Sequence, residues 1–296
     1  MSTSTSHLID LSGGPAGLIQ LRNAAGERAA ISLYGAQLLS WQDAAGCELL
    51  YCSPQPLAKP GAPIRGGVPV CFPQFAGRGA LPKHGFVRTA MWQLDDSHGA
   101  LASGADQDVA CARLSLSDSD ATRALWPHSF LLQLQVELGA GWISVALNVS
   151  NTGADAFDFT AALHTYLACA DVRQAGVASL QDVSFIDSTR NADGSDTTTT
   201  QAEALLRIDG ETDRIYLASP AALTLEQDGK PALQLEQQGF SDSVVWNPGP
   251  EKAAQLGDMP ADDWTRMLCI EAAQVAHPIR LSPQATWRGV QRLART

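Results

Sequence analysis

The feature that most constrains this chain is a repeated pattern of short alternating segments, each closed by a turn signal. Leu18–Arg22, Ala29–Tyr34 and Ala36–Trp41 alternate apolar and polar residues and are bounded by Asn, Gly or Asp. Ala90–Leu94, Ala110–Leu116, Ser129–Glu137 and Trp142–Val149 continue the series. Period-two patterning interrupted in this way predicts antiparallel strands rather than helices. The break Gly139-Ala140-Gly141 predicts a hairpin between two of them. Beyond Asn151–Asp155, a turn, Phe157–Cys169 reads as a strand. So do Ile215–Leu217, Ala222–Glu226, Leu233–Glu236, Ser243–Trp246, Met267–Glu271 and Thr286–Arg292. Pro260–Arg266 predicts a short helix, with proline in its first turn and acids following. So many short strands in 296 residues predict a mainly β protein, a large antiparallel β-sandwich with few short helices, and no doubly wound α/β fold.

No Ser/Gly linker, charge run or repeat divides the chain, so one domain over 1–296 is expected, with 1–16 a flexible leading segment. The polar run Asn191–Thr200 is expected to be an exposed mobile loop. At 45% hydrophobic residues the chain can bury a large core, yet no apolar stretch reaches membrane-spanning length. Nothing near Met1 has the pattern of a secretory signal. The six cysteines are scattered, without a C-x-x-C pair, and several sit in apolar runs. They read as reduced, largely buried thiols of a cytoplasmic protein, and their spacing forms no zinc pattern.

Against this background the stretch from Pro60 to Gly85 stands apart, with six Gly and five Pro in 26 residues. It cannot be a regular helix and is expected to be a shaped loop rather than a packed element. Its charge is equally unusual. The net charge is −11, yet no acid occurs between Glu48 and Asp95, where an even spread would place about five. Lys59, Arg65, Arg78, Lys83 and Arg88 all fall in that window. A cationic site on an anionic protein points to a small anionic ligand, whereas the overall acidity argues against nonspecific nucleic-acid binding. Guanidinium groups on a loop whose backbone can approach a ligand suit phosphate or carboxylate, although a solvated basic face has the same charge pattern.

Two polar residues interrupt strands that otherwise read as buried. Alternation puts His164 on the face of Ala162 and Tyr166, and Glu271 on the face opposite Leu268 and Ile270. Taken singly, each fits a bland role, a satisfied strand histidine and a strand-end surface acid. Taken with the arginines they supply an acid, a base and an anion clamp. Asp213 reads either as a turn acid or as a group for sugar hydroxyls.

The order of short motifs resembles the glucose-6-phosphate 1-epimerase branch of the aldose 1-epimerase family. The resemblance rests on Gly66-Gly67-Val68-Pro69, Phe72-Pro73-Gln74-Phe75, and Leu81 through Arg88 with the following Trp92. It continues in Leu163-His164-Thr165-Tyr166, Thr212 through Tyr216, Val245 through Pro248, Glu251-Lys252-Ala253, Asp258-Met259 and Cys269-Ile270-Glu271. The resemblance implies a supersandwich of antiparallel sheets and interconversion of sugar anomers without metal or cofactor. In that reading His164 is the general acid at the ring oxygen and Glu271 the general base at the C1 hydroxyl. Arg65 and Arg88, with Gln74 and Arg78, hold the 6-phosphate of a sugar-phosphate substrate, while His84 and Asp213 contact the sugar. The departure from the pattern is Ala272-Ala273-Gln274, where a more turn-like continuation is expected. A non-catalytic sugar-phosphate-binding or regulatory sandwich is the alternative, and a glycosidase is weaker because it leaves the arginines and His164 without a role.

Overall fold

The computed structural model describes residues 17–55, 61–95, 109–190 and 197–296. Residues 1–16 and 191–196, for which a flexible segment and part of a mobile loop are expected, lie outside them, as does Lys59. The described residues form three antiparallel sheets. The smallest is Leu18–Arg22, Arg28–Ser32 and Leu38–Gln42. A nine-stranded sheet runs, in spatial order, Leu205–Arg207, Ala175–Ala178, Ala222–Gln227, Lys230–Gln238, Thr286–Arg295, Trp142–Asn151, Phe130–Gly139, Ala110–Ser117 and Gln93–Leu94. The eight-stranded sheet, which carries the site, runs Thr198–Thr200, Ser184–Asp187, Thr212–Tyr216, Asp242–Asn247, Met267–Leu281, Phe157–Leu163 and Val70–Cys71. Its eighth member, Tyr166–Ala168, pairs with the start of Met267–Leu281. Among the described residues the helices are short, such as Asp120–Leu125 and Gly249–Ala253. The predicted helix at Pro260–Arg266 is a 3-10 segment, Ala261–Arg266.

The sandwich follows from alternation. Along Phe130–Gly139, Phe130, Leu132, Leu134, Val136 and Leu138 are fully buried while the residues between them are half exposed. The facing strand Trp142–Asn151 joins it through a two-residue turn, Ala140-Gly141, in which Gly141 takes φ +77°. These side chains meet Leu268, Ile270 and Ala272 of the eight-stranded sheet, and Ile31, Leu38 and Trp41 of the smallest one, in a single buried cluster. The other face of Met267–Leu281 presents Met267, Cys269, Glu271, Ala273 and Val275 away from that core.

Four expectations need correction. The Gly/Pro-rich stretch is packed: Val68, Val70, Cys71 and Phe72 are fully buried, and Val70–Cys71 pairs with Leu163 and Ala162 as an edge strand. Its glycines permit this. A Cβ at Gly67 (φ +58°) would lie 2.0 Å from the Leu38 carbonyl oxygen, and one at Gly85 (φ +72°) 1.9 Å from that of Phe72. Phe157–Cys169 is two strands, because Thr165 donates its N–H back to Leu163 and His164 donates to Pro69. Thr198–Thr200 is an edge strand rather than loop, paired with Ser184–Ile186. Glu271 is interior to its strand, which continues to Gln274 before the register shifts ahead of Ile279, so the turn-like irregularity comes later than expected.

Candidate active site

Antiparallel register sets the heart of the site. Leu163 pairs with Ala272 and Tyr166 with Cys269, which places His164 opposite Glu271 across the break in its own strand. The His164 Nε2 to Glu271 Oε1 distance is 3.3 Å. Tyr166 stacks parallel on the His164 imidazole at 4.8 Å, with 11° between the planes. His84, on the Gly/Pro-rich stretch, approaches the same imidazole edge-on at 5.4 Å. Ala76 donates its N–H to His84 Nδ1, so the His84 proton resides on Nε2. One row across neighbouring strands, Ile186, Ile215, Val244 and Glu271, floors a cavity of about 350 Å³.

The cavity brings together nearly every residue singled out from the sequence. His164, Glu271, Arg65, Arg78, His84, Arg88 and Asp213 all line it. Gln74 does not. Its amide nitrogen donates to the carbonyls of Ala76 and Leu81, and its oxygen accepts from the Leu81 N–H, so it holds the shape of the loop instead. Sequence reasoning missed Lys83, Lys252, Tyr166 and Trp246 as lining residues. Lys83 stood in the acid-free window, and the others in motifs that carry the resemblance, so a signal existed for each.

The cations are oriented rather than loose. Arg65 donates from Nε to Asp258 at 2.7 Å, reaches the Tyr166 hydroxyl at 3.5 Å and lies over the Trp246 ring at 5.9 Å. These contacts engage Nε and one terminal nitrogen and hold the guanidinium at the cavity wall. Arg88 donates to the Lys83 carbonyl at 2.9 Å, tying two cations to one loop. Lys252 pairs with Glu211 at 2.5 Å.

This field sets the protonation states. Burial lowers His164 to about 3, assisted by Arg88, and lowers His84 to about 2, assisted by His164. Burial raises Glu271 well above the usual carboxylate range, and Asp213 adds to the rise. Asp213 is itself raised by burial, partly offset by Lys252. Burial thus favours the neutral form of both partners, and among the described residues His164 Nδ1 and Glu271 Oε2 are buried without a hydrogen-bond partner. A donor and an acceptor one contact apart can give and take a proton at neighbouring oxygens. Among the described residues no group of three His, Cys, Asp or Glu side chains is placed to hold a metal ion, and no helix is long and apolar enough to cross a membrane.

Comparison with known proteins bears directly on this arrangement. Residues 17–294 match the aldose 1-epimerase family. The chain belongs to that family. A Cenchrus ciliaris protein named "Putative glucose-6-phosphate 1-epimerase" is 36% identical over 281 residues, covering 93% of this chain and 84% of its own. An Escherichia coli K12 protein of the same name is 32% identical over 260 residues, covering 87% and 83%. Among solved structures, the "putative mutarotase (YeaD)" of Salmonella typhimurium superposes with a TM-score of 0.82 at 28% identity, covering 95% of this chain and 91% of that one. The antiparallel sandwich is thus the fold of the family, and every residue lining the cavity falls within the matched residues 17–294.

Proposed function

We propose that this protein interconverts the α and β anomers of a hexose 6-phosphate, glucose 6-phosphate foremost, with His164 and Glu271 as the acid–base pair. The observation that carries the reading is their 3.3 Å contact at the floor of a cavity rimmed by Arg65, Arg78, Lys83 and Arg88. In a cyclic sugar the ring oxygen and the C1 hydroxyl share one carbon, so their acid and base have to be neighbours. The reactive form has His164 protonated and Glu271 ionised. Glu271 takes the C1 hydroxyl proton, the C1–O bond of the ring breaks with its electron pair going to the ring oxygen, and His164 protonates that oxygen. The free aldehyde turns about the C1–C2 bond, and the reverse steps close the ring on the other face. Protons balance and positioning supplies the rest.

Arg65 and Arg88 serve as the phosphate clamp, with Arg78 and Lys83 beside them, while His84 and Asp213 contact the sugar. Gln74 acts on the substrate only through the loop it shapes. The cluster of cations favours the phosphorylated sugar over the neutral one. The test is exchange spectroscopy of the anomeric protons of glucose 6-phosphate, glucose and galactose 6-phosphate. Faster exchange of the phosphorylated sugars with the protein present is the expected result. Saturable binding without acceleration of any sugar would replace the enzyme with a sugar-phosphate-binding protein.

A further inference from the structure

The break that separates the two halves of the His164-bearing segment leaves a hydrogen-bond deficit immediately behind the catalytic pair. Thr165 accepts from the Ile270 N–H at 3.1 Å, as in an ordinary antiparallel rung. The return bond is missing, because the Thr165 N–H donates to Leu163 at 3.0 Å instead of to the Ile270 carbonyl. A buried carbonyl in a strand interior needs a donor. It finds one across the sandwich: Gln291, on Thr286–Arg295 of the nine-stranded sheet, donates from Nε2 to the Ile270 oxygen at 3.0 Å. The Gln291 Oε1 in turn accepts from the Thr165 hydroxyl. Because a carbonyl only accepts, this network admits one orientation of the Gln291 amide, and the Thr165 hydroxyl has to be the donor. Gln291 is 4% exposed and Thr165 is fully buried, so water does not compete for these bonds.

The two groups that Gln291 joins are the immediate chain neighbours of the two reacting side chains: Thr165 follows His164, and Ile270 precedes Glu271. We infer that Gln291 is a positioning residue for the anomer exchange, a side-chain rung that replaces the missing backbone rung and fixes the separation of His164 and Glu271 from behind. It touches neither substrate nor reacting atoms. The inference rests on the His164–Glu271 reading of the site. Its effect belongs on the chemical step and not on binding, because the phosphate clamp stands on other segments. Loosening such a support typically costs up to about a hundredfold in rate.

The test compares wild type with Gln291→Met, Thr165→Val and the double variant; the Ile270 carbonyl loses its donor in Gln291→Met and in the double variant alike, while Thr165→Val removes only the hydroxyl–amide bond. Expected are a roughly tenfold to hundredfold loss in kcat for glucose 6-phosphate in Gln291→Met, KM within about twofold of wild type, and a double variant no slower than the worse single one. A kcat within about twofold of wild type in any folded form of Gln291→Met or the double variant overturns the inference, as does a double variant whose losses multiply. An activity-independent readout separates this from the reading beneath it. Nitrogen-15 imidazole spectra of the free protein are expected to show His164 shifted and broadened by Gln291→Met, with His84 unchanged, and an unaltered His164 signal sinks the staple whether or not wild type is active. Wild type without anomer exchange, but with the His164 response, sinks the enzymatic reading alone.

Discussion

At the scale of single residues, the decisive property is that Glu271 and His164 are held away from their ordinary ionisation by burial, in opposite directions. Glu271→Gln keeps the shape of the side chain and removes its basicity. We expect a loss of roughly 10²–10⁴ in kcat with sugar-phosphate binding retained, measured by exchange spectroscopy and by ligand titration. An active variant would deny Glu271 its role. The same substitution has a stability signature whose sign follows from linkage. The folded-state pKa of Glu271 lies above its unfolded value, so its neutral form favours the fold below about pH 4.5, and that contribution declines as pH rises. Glu271→Gln is therefore expected to raise Tm at pH 8, with the gain shrinking as pH falls and vanishing at about pH 4.5 and below. The histidines have the opposite sign. His164 and His84 are depressed to about 3 and about 2, so the stability they allow is complete above the unfolded histidine value near 6.5 and is lost as pH falls through that window. A His164→Gln, His84→Gln double variant is expected to flatten the fall of Tm between pH 6.5 and 4, and an unchanged slope would show that both histidines titrate normally.

At the scale of elements, the sequence made the strands and most of the site legible, but not how the site is supported. Alternation identifies Phe130–Gly139 and its neighbours because each has one wet and one dry face. It understates Met267–Leu281, whose early stretch is buried on both faces and whose continuation through Ala272-Ala273-Gln274 carries no alternation to read. The Gly/Pro-rich stretch was legible as a functional loop, yet its packing was not, since composition reports turns and says nothing of what lies against them. Gln74 illustrates the cost: its place in the motif pointed to the ligand, whereas its amide closes the loop on itself. Gln291 was invisible for a different reason, because its partners exist only where a backbone rung fails on another sheet. The packed loop makes its own prediction. With φ +72° and no room for a Cβ against Phe72, Gly85→Ala is expected to cost roughly 2–4 kcal/mol in denaturant unfolding and to displace the adjacent His84. A near-neutral effect would show that the stretch rearranges freely and is not the packed edge strand and loop described above.

At the scale of the whole molecule, two electrostatic influences on an anionic substrate compete. The chain carries a net charge of −11, which repels a sugar phosphate, while the cavity is lined by Arg65, Arg78, Lys83, Arg88 and Lys252 beside Asp213 and Glu271, with Arg65 also paired to Asp258 and Lys252 to Glu211. Distance decides between them. At 0.1 M salt the Debye length is about 10 Å, so acids scattered over the far surface are already screened, whereas the cations lining the cavity proposed to take the phosphate are screened less at that concentration. The cavity therefore dominates above that concentration, and added salt weakens binding. We expect KM for glucose 6-phosphate to rise about threefold to tenfold between 0.1 and 0.5 M NaCl, while any exchange of unphosphorylated glucose is unaffected. Lys83→Ala and Arg88→Ala are expected to raise KM for the phosphorylated sugar at low salt, with kcat little changed, and to flatten its salt dependence. A KM that falls as salt is added would mean that the acidic surface, and not the cationic cavity, governs the encounter, and the assignment of the arginines to the phosphate would fall with it.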